Sequence, residues 1–247
     1  MAKRVVLKAS DIAAIIGRHQ YKPRDEVFNE MWKKYSPDTF TGKTKRDEAN
    51  IALRASPNAS EVFSVVSKLE PKNSTEVQNI IDNVRKHINL DENLSAEQKT
   101  LVIQHITSNV YTSHGTRSED KTSVKVQSDE GVVLTRDDKF YNLEVCTIGD
   151  HKFVICGKID RIEENPDGSR TLVEIKNRTN RLFRRVVEYE MIQVQVYLQM
   201  LGLVHARLVE QYNNQVLSHT VERDEELWNN DIMPALHSFC SELHGKF

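Results

Sequence analysis

The sequence predicts a mixed α/β (α+β) domain, on three observations. Its first half carries apolar residues at helical spacing between recognisable caps. After Gly131 it changes to short β-branched and aromatic runs, broken by Gly-Asp and Asn-Pro-Asp-Gly turns. Its last third then runs helix, strand pair, helix.

In chain order, Ser10 before DIAAII and Gly17 after it read as the N-cap and C′ glycine of a short helix. A second helix starts at Pro23, with Asp25 and Glu26 in its first turn and Val27, Phe28, Met31 and Trp32 on its apolar side. From Thr39 to Ser60 the chain is polar and weakly periodic, which reads as loop or irregular helix. Thr75 to Asn89 puts Val77, Ile80, Ile81, Val84 and Ile88 at helical spacing. Ser95 and Gln98 form a capping box, behind which Leu101, Val102, His105 and Ile106 continue one helix face, and another helix is expected to start near His114.

Strands are expected over Val132–Leu134, Phe140–Ile148, Phe153–Ile162 and Thr171–Lys176. A helix from Val187 to Leu201 ends at Gly202. Two more strands, Ala206–Tyr212 and Val216–Val221, join through Asn213 and Asn214, and a last helix runs from Asp224 to about Leu243.

The whole chain of 247 residues fits one domain. Within it, residues 1–113 read as a mostly helical region, 114–223 as the core and 224–247 as a C-terminal helix. A net charge of −2 excludes a uniformly basic coat, but 34 Lys and Arg leave room for a local basic surface. No apolar run can span a bilayer, and MAKRVVLKASD lacks the apolar core of a secretory signal. Cys146, Cys156 and Cys240 have neither CxxC spacing nor an even number, so a reduced, intracellular protein is expected, without a disulfide framework.

The stretch with chemistry in it is GKIDRIEENPDGSRTLVEIKNR, from Gly157 to Arg178. Strand residues two apart share a face, so Glu174 and Lys176 project together with Leu172, while Val173 and Ile175 face the other way. The turn at Asn165–Gly168 folds Asp160 back toward Glu174. Two carboxylates at an open site suit Mg²⁺ or Mn²⁺, and a lysine beside them puts positive charge where a phosphate would sit. That combination serves phosphodiester hydrolysis.

Such residues also occur on solvated hairpins, and three further features shift the balance. Glu119 lies on the helix before the strands and offers a third carboxylate. Gln193 and Tyr197 are four apart on the helix after Lys176, hence on one face. Lys176, Arg178, Arg181, Arg184 and Arg185 put five basic residues within ten positions, suited to gripping a phosphate backbone.

The series Glu119, Asp160 in CGKID, Glu174-Ile-Lys176 and Gln193-Val-Gln-Val-Tyr197 resembles the PD-(D/E)XK nuclease superfamily. Within it, the pattern looks like the phage lambda exonuclease and YqaJ-like viral recombinase group, as does the opening LKASDIAAIIGRHQYKP. The resemblance implies a restriction-endonuclease-like core, a central mixed β-sheet flanked by helices. It implies metal binding by Asp160, Glu174 and the Ile175 carbonyl, with Glu119 supporting directly or through water. Lys176 would be the catalytic lysine, Gln193 and Tyr197 would line the site, and Gln195 would lie on the wrong side of the helix. Ser10 would hold a DNA phosphate. Residues 39–109 form an expanded helical segment relative to the lambda-like enzymes, and three scattered cysteines speak against the iron–sulfur cluster of some relatives.

The expectation is a Mg²⁺-dependent DNA exonuclease, with Mn²⁺ as substitute, acting on duplex ends in recombination, repair or viral DNA processing. Its partners would be DNA with free ends, a single-strand annealing or recombination protein, and further copies of itself, and no membrane. The alternatives are an endonuclease of the same fold, cutting at a structure or a short site, and a non-catalytic nucleic-acid-binding protein.

Overall fold

The computed structural model describes residues 2–247. Strand β1 (Lys3–Lys8), absent from the sequence expectations, runs parallel to β4 (His151–Gly157), which also pairs antiparallel with β3 (Tyr141–Ile148) in the order β1-β4-β3. Val5 and Leu7 alternate inward and are fully buried, as a half-buried strand requires. A 3-10 turn, Ala9–Asp11, leads from β1 into the four-residue helix α1 (Ile12–Ile15). Ser10 lies inside that turn, exposed, and caps nothing; the N-cap of the turn is Lys8, the last residue of the strand, so the N-cap position falls before Ser10. Gly17 does close the helix, with φ +76°.

Helix α2 (Arg24–Tyr35) buries Val27, Phe28 and Met31 as expected. The stretch expected to be loop or irregular helix, Thr39–Ser60, instead contains α3 (Lys45–Ala55) and the first turns of α4 (Pro57–Val66). Both starts are capped locally. Thr44 and Asp47 form a reciprocal capping box, and Ser56 accepts the Ala59 N–H ahead of a first-turn proline. Helices α5 (Ser74–Asn89) and α6 (Ala96–Glu130) complete this region, whose own core includes Leu53, Ala59, Val84, Ile88, Val102 and Ile106.

The two helices expected over Ser95–Ile106 and from His114 are one helix of 35 residues. Gly115 sits inside it, at a cost of about 1 kcal/mol relative to Ala that the long helix tolerates. The predicted capping box at Ser95 is present, and Gly131 ends the helix at φ +70°.

The expected strand Phe153–Ile162 is interrupted. Its second part, β5 (Arg161–Glu164), belongs to another sheet with β2 (Leu134–Thr135), β6 (Arg170–Asn177), β7 (His205–Tyr212) and β8 (Gln215–Glu222), in the order β2-β5-β6-β7-β8. The strands therefore form two mixed sheets flanked by helices. Only β6 and β7 pair in parallel within the second sheet, bridged by α7 (Glu188–Leu201). Leu172 packs with α7 residues Ile192 and Leu198, while Val173 and Ile175 pack on the opposite face with Val126 of α6. The expected alternation along β6 thus holds, and it turns Glu174 and Lys176 toward α7.

The C-terminal helix comes in three joined parts: α8 (Glu225–Leu227), a π-helical turn (Trp228–Ile232) and α9 (Met233–His244). Pro234 has no N–H for the carbonyl four residues back, and the wider turn lies where that bond is missing.

Candidate active site

The break between β4 and β5 creates the site. The chain leaves the first sheet at Gly157 and crosses to the second through Lys158–Asp160. Gly157 has no room for a side chain: a Cβ there would stand 2.6 Å from the Tyr197 ring and 2.8 Å from the Ala9 Cβ. Asp160, just ahead of β5, accepts the Ile175 N–H on Oδ2 at 2.7 Å, which ties its carboxylate to β6.

Glu174 is buried, with Oε1 2.8 Å from the Lys176 ammonium. Lys176 also donates to Gln193 Oε1 at 3.0 Å, and Gln193 Nε2 donates to the Tyr197 hydroxyl at 3.3 Å. The i, i+4 face of α7 therefore extends the carboxylate–lysine pair by two more groups, in the arrangement the spacing implied. Gln195 points elsewhere, donating to the Glu222 carbonyl and accepting the Asp224 N–H.

Burial raises the Asp160 carboxyl to about 6, with the charge of Glu119 adding and Lys176 opposing. Glu174 rises to about 7, again through burial first and then Asp160. Burial alone would lower Lys176, but Glu174 and Asp160 outweigh it and hold the ammonium protonated well above its ordinary range. Tyr197 is raised by burial and by Glu174, so its hydroxyl stays neutral.

Glu119 occupies the middle of α6, half-buried, and burial followed by the charge of Glu174 raises its pKa. Sequence reasoning missed what fixes it there. Asp120, its neighbour, pairs with buried Arg161, which also donates to Ser123 Oγ at 3.2 Å and to the Asp160 carbonyl at 2.6 Å. Thr122 donates to Asn177 Oδ1 at 2.6 Å, and Asn177 donates to the Gly115 carbonyl at 3.1 Å. These contacts lock α6 to β5, just ahead of which Asp160 lies, and to β6, which carries Lys176.

One oxygen of this cluster is conspicuous. Glu174 Oε2 is buried without a hydrogen-bond partner, a condition that costs free energy unless a cation or water meets it. The donor set is all oxygen, as Mg²⁺ and Mn²⁺ prefer. Asp160 and Glu174 fit such an ion. Among the described residues no three His, Cys, Asp or Glu side chains converge closely enough to enclose one. Glu119 lies within range of the Glu174 charge.

The basic segment divides. Arg178, expected to contact phosphate, instead forms a bidentate pair with buried Glu190, with Nη1 and Nη2 each on one oxygen, the longer bond 2.8 Å. Its Nε reaches Glu210 at 2.9 Å and its guanidinium lies over Phe183. Glu210, fully buried, also accepts the Phe183 N–H and meets His219 at 2.7 Å. That network fastens the loop after β6 and takes Arg178 out of phosphate binding. The sequence signal for it was a glutamate inside the apolar run LVEQY. Arg181, Arg184 and Arg185 are exposed on the loop, Arg184 with φ +58°. Ser10 is next to Ala9, which packs at the Gly157–Tyr197 contact, so it lies at the edge of the site and outside the carboxylate cluster.

A family model of the PD-(D/E)XK nuclease superfamily matches residues 58–229, from the helical region through strands β2 to β8 to the start of the C-terminal helix. The chain belongs to that superfamily. Among solved structures, an alkaline exonuclease from Laribacter hongkongensis is 17% identical, with 76% of this chain and 93% of that one covered at a TM-score of 0.44. The same exonuclease in complex with dAMP is 18% identical over 66% of this chain and 87% of that one, at 0.43. A phage-related exonuclease from Haemophilus somnus 129PT is 12% identical over 100% and 97%, at 0.44. No curated protein sequence matches the chain. No described helix is long and apolar enough to cross a membrane.

Proposed function

We propose that this superfamily member is a divalent-metal-dependent DNA exonuclease of the lambda exonuclease and YqaJ-like group, hydrolysing phosphodiester bonds from duplex ends. The observation that carries the reading is the buried Asp160–Glu174–Lys176 cluster, with its unpartnered Glu174 oxygen.

Asp160, Glu174 and the Ile175 carbonyl would hold Mg²⁺ or Mn²⁺, which supplies Lewis-acid polarisation of the phosphate and a more acidic water. Lys176 holds a permanent positive charge beside the carboxylates and stabilises the negative charge that grows on the phosphoryl oxygens. Gln193 fixes the Lys176 ammonium, and Tyr197 in turn holds Gln193. Glu119 deepens the negative potential that attracts the cation. Arg181, Arg184 and Arg185 supply phosphate contacts along the backbone. Work on recombination, repair or viral DNA intermediates, together with a strand-annealing partner, is the setting that fits an end-dependent enzyme of this group.

The test is incubation of linear and covalently closed circular duplex DNA with the protein in Mg²⁺, Mn²⁺ or EDTA. Metal-dependent loss of the linear DNA alone supports the proposal. Cutting of the circle makes the enzyme an endonuclease, and no cleavage in any metal sinks the catalytic reading.

A further inference from the structure

The polar face of α7 does not stop at Gln193. Four residues earlier, about 6 Å along the axis, the same face carries Tyr189, so that Tyr189, Gln193 and Tyr197 form one i, i+4, i+8 row. Tyr189 is half-buried and lies within reach of the Lys176 and Arg178 charges. The row that begins beside Glu174 therefore ends in an aromatic ring.

That ring is not alone. His19, on the loop after α1, stacks on Tyr189 with centroids 4.5 Å apart and planes 29° apart. Tyr21 meets both edge-on, 6.3 Å from His19 and 6.1 Å from Tyr189. The His19 ring is fixed: its Nδ1 accepts the backbone N–H of Tyr21 at 3.2 Å and of Lys22 at 3.0 Å. Lys22 is itself tied to Asp11 at 2.9 Å. The cluster is thus rigid, yet Tyr21 is 72% exposed. The exposed arginines Arg181, Arg184 and Arg185 lie on the segment that leads into Val187, the N-cap of α7.

We propose that His19, Tyr21 and Tyr189 form a stacking platform for an unpaired nucleobase at the DNA end being processed. The inference rests on the nuclease reading and names how that site receives its substrate. Aromatic faces accept any base, which suits an enzyme that moves along a strand without sequence preference. The platform lies one helical turn from the group holding Lys176, so a base seated on it leaves an adjoining phosphate near the carboxylates. Stacking there favours an end whose terminal pair has opened.

The experiment is binding in EDTA, where nothing is cut. Fluorescence anisotropy compares a duplex whose short overhang carries a normal base with one whose overhang is abasic, for the wild type, Tyr21→Ala and Tyr21→Phe. The wild type is expected to prefer the base-bearing overhang by about 5- to 100-fold, Tyr21→Phe to keep that preference and Tyr21→Ala to lose most of it. An overhang carrying 5-iodouracil is expected to photocrosslink to the peptides containing His19, Tyr21 or Tyr189. Equal binding of the two overhangs by the wild type, or an undiminished preference in Tyr21→Ala, overturns the platform. Cleavage of blunt duplex in Mg²⁺ is scored separately. Cleavage without base preference removes the platform alone, whereas base preference without cleavage in any metal overturns the nuclease reading and leaves a binding site.

Discussion

Lys176 and Glu174, two positions apart on β6, form an ion pair of 2.8 Å in which the glutamate is the more deeply buried partner. Only one Glu174 oxygen is used; the other has no partner. Lys176→Ala is accordingly predicted to abolish cleavage, by at least about a hundredfold on the scale of losing one electrostatic stabiliser. DNA affinity, which the proposal assigns to the exposed arginines, should change little. Single-turnover cleavage and filter binding on the same preparation check both halves, and near-normal cleavage removes Lys176 from the chemistry.

Stability of the metal-free protein should depend on pH through Glu174. Its folded pKa, about 7, lies above the ordinary 4.5, so the stability it contributes is fully present below about 4.5 and is lost as pH rises through 7. After burial, Asp160 and Glu190 push in the same direction, while Lys176 opposes. Glu174→Gln cannot acquire the charge. In EDTA the variant should therefore gain on the wild type between pH 5 and 8, by on the order of 2 kcal/mol. Denaturant melts at several pH values measure it, and a constant difference counts against the buried-charge account.

The arginines of one short segment should separate by assay. Arg178→Ala leaves Glu190 and Glu210 buried without their counter-charge, and is predicted to cost about 3–5 kcal/mol, on the order of 10 °C in Tm. Arg181→Ala, Arg184→Ala and Arg185→Ala should leave Tm in place and reduce the salt dependence of DNA binding, by about one unit of slope for each lost contact. Equal effects of all four on Tm would contradict the division.

Gly157→Ala tests the packing behind the site. The added Cβ meets Tyr197 and Ala9 below 3 Å, and neither can withdraw, since both are buried. A loss of about 1–3 kcal/mol is expected, with cleavage falling further than Tm because Tyr197 is displaced from Gln193. Unchanged activity would show that the Tyr197–Gln193 contact does not matter.

Much of the site was legible because strand and helix periodicities are short-range facts. Glu174 and Lys176 had to share a face, Gln193 and Tyr197 likewise, and the Asn165–Gly168 turn had to bring Asp160 back. Arg178 was misread because charge in a sequence says nothing of burial: its partners, Glu190 and Glu210, lie 12 and 32 positions downstream. Strand β1 was overlooked since its pairing with β4 spans most of the chain. The capping box at Thr44 escaped because aspartate stands where glutamate or glutamine is usual, although the geometry is the same. The split between β4 and β5 had no local signal beyond Gly157, whose reason is Tyr197, 40 residues on.

The most direct test of the central claim is calorimetric titration of the protein with Mn²⁺, comparing the wild type with Asp160→Asn/Glu174→Gln in two buffers of different ionisation enthalpy. Binding by the wild type at one site or more, with protons released below pH 7 and none of this in the double variant, is the predicted result. Equal Mn²⁺ binding by the two proteins would contradict the assignment of Asp160 and Glu174 as the groups that hold the metal.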